Sequence, residues 1–160
     1  MASEKDRLYV AIYGRGGGVQ PRMPGGEDKY HWGLISETRQ EVWIYEEIDV
    51  KMRASSLILA RILVGKVKDM SKLRAVFERT QVRPEVEGWN CVSWVKEALT
   101  AAFQDGKALG TNAGSWESVR DFAMQYVAEK KAKHRYDGQV QFNREQVATW
   151  DLLEGRELVE

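Results

Sequence analysis

The chain has 160 residues, with 24 Lys plus Arg balanced by 24 Asp plus Glu, 43% apolar residues and a single cysteine. That size suits one domain over residues 1–160, large enough to bury roughly 70% of its unfolded-state surface. The charge balance argues against broad binding to nucleic acid or an anionic membrane, and one cysteine excludes an internal disulfide. No apolar run reaches the ~18 residues of a membrane span, and the start MASEKDRLYV has no signal-peptide apolar stretch. A cytoplasmic domain without an integral membrane span is expected, and its oligomeric state is left open.

Leu8–Tyr13, LYVAIY, is short and dense in β-formers, which predicts a buried strand. It breaks at GRGGGVQPRMPGGED, whose glycines, prolines and lack of periodicity predict a flexible surface loop. Tyr30–Ser36 is a second strand. Glu41–Val50 is a third, with Val42 and Ile44 on one face and Trp43 and Tyr45 on the other. The short polar link Glu37–Gln40 predicts that these two form an antiparallel hairpin. Leu57–Val67 is a fourth strand, although its first half suits a helix equally.

Asp69 or Ser71 can then cap a helix carrying Met70, Leu73, Val76 and Phe77 at three- and four-residue spacing. Pro84 ends that segment by disfavouring helical geometry at Arg83. Asn90 is a good cap for the next helix, with Val95, Ala98 and Ala102 facing the core. Gly110 and Gly114 mark a loop, and Ser115 starts a third helix with Trp116, Val119, Phe122, Ala123, Tyr126 and Val127 on one stripe. Its basic tail, AEKKAKHR, reads as a solvated helix end favoured by the dipole. The segment Gly138–Glu160 should wrap onto the domain through Val140, Phe142, Trp150 and Leu152. Strands first and helices later predict an α+β class, a small antiparallel sheet packed against helices.

Two segments could carry chemistry: YHWGLIS, with a histidine on a strand, and GWNCVSWVKEAL, with a cysteine in the first turn of a helix. A thiol is nucleophilic only as thiolate, a form that the positive end of a helix favours. A strand-borne imidazole could then take the proton. On residues alone, however, a lone cysteine is more often a buried small hydrophobe.

His-Trp-Gly-Leu on a strand, followed much later by Asn-Cys opening a helix, resembles the circularly permuted papain-like thiol enzymes. These include the lecithin:retinol acyltransferase group and the PPPDE isopeptidases. The resemblance implies a permuted papain-like fold, with Cys91 as nucleophile, His31 as general base and the Cys91 N–H helping to hold an oxyanion. The wider run LYVAIY, ARILVGKV, NCVSWVKEAL, KALGT and WDLLEG is similar to a family of fungal proteins with no assigned activity. One departure stands out. The acyltransferases carry a further polar residue, typically His, on the next strand to orient the imidazole, whereas EVWIYEE has none. Tyr45, Glu47 and Glu41 are the candidates to replace it.

The implied activity is cysteine-dependent acyl transfer or amide and ester hydrolysis on a small-molecule or peptide acyl substrate. The alternative is a degenerate member of the fold that only binds a partner. Trp32, Trp89 and Asn90, flanking the two key residues, are the candidates to line a substrate pocket, which the glycine-rich loop would cover. That loop lacks phosphate-cradle spacing, and no ligand spacing suggests zinc, so neither cofactor nor metal is expected. His134 reads as a surface histidine. Glu46, Glu47 and Asp49 read as a solvated strand edge rather than a site for a cationic substrate.

Overall fold

The computed structural model describes residues 6–15, 21–37, 42–45, 57–142 and 146–160. Strand β1 (Arg7–Gly14) pairs antiparallel with β2 (His31–Glu37) on one side and with β4 (Leu57–Val67) on the other. Leu8 through Ile12 are all buried, which is why LYVAIY shows no alternation: it lies between neighbours and is covered on both faces. Strand β3 (Val42–Tyr45) completes the expected hairpin with β2, in the register Leu34↔Tyr45 to Glu37↔Val42. The whole of Leu57–Val67 is strand, so the helical reading of its first half is set aside.

Helix α1 (Met70–Arg79) is capped by Asp69, whose carboxylate accepts the Lys72 N–H. Helix α2 (Cys91–Asp105) is capped by Asn90 and buries Val95, Ala98 and Ala102 as expected. Helix α3 (Trp116–Ala132) is capped by Ser115. These helices pack their apolar stripes on Leu8, Val10, Ile12, Trp32, Leu34 and Ile62. A smaller cluster of Tyr9, Ala11, Ile35 and Leu63 lies apart from this core. Strand alternation makes that the other face of the sheet.

The sheet is larger than expected and not wholly antiparallel. Strand β5 (Leu109–Asn112) pairs with β4, where a glycine-marked loop was expected. A Cβ on Gly65 would come within 3.2 Å of the Leu109 side chain, so that pairing is close. The final segment does more than wrap. Strand β6 (Ala148–Asp151) joins β4 in parallel, and β7 (Arg156–Val159) turns back antiparallel to β6. The seven strands run β3-β2-β1-β4-β6-β7, with β5 paired to β4 beside this path. A parallel pair requires a long crossover, here the three helices between β4 and β6. Val140 is 47% exposed and anchors nothing, whereas Trp150 packs against Phe122 and Tyr126. No helix among the described residues is long and apolar enough to cross a membrane.

The basic tail of α3 is not uniformly solvated. Lys130 is only 2% exposed and its ammonium pairs with the Glu157 carboxylate on β7 at 2.7 Å. The Tyr126 hydroxyl donates to the same carboxylate. Burial pushes Glu157 up, but the Lys130 and Tyr126 contacts outweigh it and hold the carboxyl below its usual 4.5. A depressed carboxyl contributes stability above its unfolded value and loses it as pH falls through the folded one. Glu157→Gln should therefore cost roughly 1–3 kcal/mol at neutral pH, because it leaves a buried ammonium without its counter-charge. Urea unfolding as a function of pH checks this: the gap between variant and wild type should narrow as pH falls below 4.5.

Candidate active site

Cys91 is the first residue of α2, and the local sequence explains why the helix begins there. The Asn90 side-chain oxygen accepts from the N–H groups of Val92 and Ser93, and Ser93 Oγ accepts the Asn90 N–H in return. This reciprocal cap satisfies the second and third helical donors. The Cys91 N–H has no acceptor among the described residues.

His31 opens β2. The sheet register places Tyr13 opposite it, and the two rings lie 5.6 Å apart at a 48° tilt. The imidazole and the Trp32 backbone N–H both stand close enough to the Cys91 sulfur to favour its ionised form. Arg15, one residue past the end of β1, supplies a third partner: its Nη2 donates to Cys91 Sγ at 3.1 Å. Burial opposes ionisation of a thiol that is only 5% exposed. The His31 hydrogen bond and charge, the Trp32 N–H and the Arg15 charge outweigh it and hold the thiol below its ordinary 9.0. The sulfur is thus enclosed at the edge of the apolar core, where His31, the Trp32 N–H and Arg15 still reach it.

A cleft of about 640 Å³ opens beside this group, lined by Arg15, Met23, Asp28, Trp89 and Asn90 among others. Its wall is fastened by Asp28, whose carboxylate accepts the backbone N–H groups of Arg22 (2.8 Å) and Met23 (3.1 Å). Burial pushes that carboxyl up, but these N–H groups and the Arg15 charge hold it low, so it is ionised. The Asn90 amide reaches across to Met23 Sδ at 3.8 Å.

Trp89 and Asn90 therefore line the cleft, but the Trp32 side chain does not. It is 0% exposed, packs on Trp116 at 5.4 Å and donates its indole N–H to the Glu27 carbonyl. Strand alternation turns this side chain into the core, so only its backbone serves the site. Among the candidates to orient His31, Tyr45 is placed by its backbone alone, three positions along the hairpin register, where it pairs with Leu34. Glu41 and Glu47 lie outside the described residues, as do Glu46, Asp49 and residues 16–20 of the glycine-rich loop. His134 is half exposed and pairs with Asp137 at 2.6 Å. Among the described residues no three metal-ligating side chains converge.

Arg15 and Asp28 escaped the sequence reading. A single arginine between glycines carries no pattern. Its position, two residues beyond the strand partner of His31, acquires meaning only once the β1–β2 register is known.

The family model described as a family of unknown function (DUF6914) matches residues 35–159, a span that holds Cys91 and begins just after His31. No curated protein and no solved structure matches the chain.

The electrostatics yield a direct prediction. The pH midpoint for iodoacetamide labelling of Cys91 should lie below that of a free thiol, independently of how enclosure slows the absolute rate. His31→Ala and Arg15→Met should each move that midpoint upward, reducing labelling at neutral pH by about tenfold for every 1.4 kcal/mol of lost thiolate stabilisation. Mass spectrometry of a labelling time course across pH measures this.

Proposed function

The chain belongs to the DUF6914 family, and we propose that it is a cysteine-dependent enzyme of acyl transfer or of amide and ester hydrolysis. The observation that carries this reading is the joint hold of His31, the Trp32 N–H and Arg15 on a thiol at a helix amino terminus. A purely structural cysteine needs none of these partners. Resemblance to permuted papain-like thiol enzymes supports the same assignment of roles.

The Cys91 thiolate attacks a substrate carbonyl carbon, forming a C–S bond while the carbonyl π electrons move onto oxygen. The Cys91 N–H, a first-turn helical donor with no acceptor among the described residues, would donate to that oxyanion. The Asn90 amide nitrogen, whose one contact among the described residues is a long one to Met23 sulfur, would be a second donor within the cleft. Collapse of the tetrahedral adduct breaks the bond to the leaving amine or alcohol, which takes the proton from His31. Water or an acceptor amine or alcohol then attacks the thioester. His31 removes the incoming proton and returns it to the thiol, so the cycle closes without a cofactor.

A panel of activated esters and short amides tests the reading by intact-mass detection of an acyl adduct and by turnover. The adduct should map to Cys91 and vanish in Cys91→Ala. Turnover should fall about 10²–10⁴-fold in His31→Ala. Absence of both adduct and turnover, with ligand binding that survives Cys91→Ala, would instead establish the binding-only alternative.

A further inference from the structure

Arg15 belongs to a second cavity as well as the first. A cleft of about 360 Å³ is lined by Arg15, Lys29, Tyr30, Lys131 and Tyr136, together with Gly14 and Leu59. Three of its residues are cations and none is a carboxylate. The β1–β2 register accounts for half of the wall. Tyr13 pairs with His31, so Gly14–Arg15 and Tyr30–Lys29 leave the sheet side by side. Leu59 of β4, Lys131 at the end of α3 and Tyr136 beyond that helix supply the rest.

Adjacent lysines there have opposite fates. Lys130 turns inward to Glu157, while the Lys131 ammonium sits 4.8 Å over the Tyr30 ring, at the cavity wall. Among the described residues neither Lys29 nor Lys131 has a carboxylate within ion-pair distance. The Tyr136 phenol does not supply the missing charge. Tyr136 donates its hydroxyl to the Leu59 carbonyl at 3.0 Å, and burial pushes it up to about 12, so it stays neutral. Like charges gathered in a recess repel one another, and the repulsion is relieved when an anion enters.

We propose that this cavity is an oxyanion subsite that holds a carboxylate or phosphate on the substrate whose carbonyl faces Cys91. The link to Cys91 rests on the thiol-enzyme reading; the anion site itself does not. Arg15 connects the two, because it lines both cavities and bonds the sulfur at 3.1 Å. An anion in the subsite competes with the thiolate for the Arg15 guanidinium. Arg15 thereby couples the two: an anion that shares its guanidinium changes the charge that the thiolate feels, and with it the ionisation of the sulfur.

The intact protein is tested with succinate and with inorganic phosphate, each at ionic strength matched by sodium chloride. The effective anion should raise the melting temperature by roughly 3–6 °C near saturation, and which of the two does so identifies the carboxylate or the phosphate class. Lys29→Gln/Lys131→Gln should lose most of that rise. No rise above the sodium chloride control, or a full rise in the double variant, overturns the subsite. The connection to Cys91 is read from alkylation by iodoacetate relative to neutral iodoacetamide, normalised to the same ratio for glutathione. The wild-type ratio should exceed that of glutathione by at least about fivefold and should fall when succinate or phosphate competes, a readout that needs no variant to fold. A ratio equal to glutathione's overturns the link. Thermal stabilisation by the anion with Cys91 slow toward both reagents overturns the nucleophile reading while upholding the subsite.

Discussion

A sulfur withdrawn from water can carry charge only if the protein replaces the solvation it has lost. For Cys91 the replacement is assembled from three stretches of chain: Arg15 past the end of β1, His31 and the Trp32 N–H at the start of β2, and the open amino terminus of α2. The first two meet because β1 and β2 are antiparallel in one register, Tyr13 against His31. A slip of one residue would send every β2 side chain to the opposite face. Trp32 would leave the core, and His31 would leave the sulfur. Deep burial of Trp32 therefore does more than stabilise the sheet, since it is the hydrophobic penalty that fixes where the imidazole stands.

Polar contacts around the cleft serve the same end at shorter range. The Trp32 indole holds the Glu27 carbonyl, the Asp28 carboxylate holds the N–H groups of Arg22 and Met23, and Asn90 holds the first turn of α2. Each satisfies backbone donors or acceptors that a loop beside a buried site would otherwise leave unpaired. The segment Glu27–Tyr30 thus links the cleft wall to the strand that carries His31. The Arg15 charge also helps to hold the Asp28 carboxyl low, so the arginine acts on the cleft wall as well as on the sulfur.

Much of this framework was legible in the sequence because burial imposes periodicity. The uninterrupted apolar run of β1, the caps Asp69, Asn90 and Ser115 and the apolar stripes of the helices each follow from local rules. Short elements lacked such a signal. Strands β5, β6 and β7 are four residues each, too brief for alternation to declare itself, and they exist because β4 offers edges to pair with. At the site, Cys91 and His31 stood out as chemical types on distinctive local structure. Arg15 and Lys131 did not, because charge on a loop or a helix tail looks alike whether it faces solvent or a cavity.

The α3 tail shows what separates those two cases. Lys130 and Lys131 are identical and adjacent, but successive helical residues point about 100° apart. One therefore meets Glu157 on β7 and the other meets the wall beyond Arg15. Lys130 has an internal carboxylate, so its charge is spent on holding the C-terminal hairpin to the helix. Lys131 rests on an aromatic face, a contact that leaves the ammonium's remaining donors available. Pairing thus distinguishes a structural cation from one free to meet a ligand. Arg15 is the intermediate case, for its guanidinium is bonded, but to the sulfur of the site itself. On the proposed reading, the cations that flank the thiol would connect its ionisation to recognition of charge on the incoming molecule.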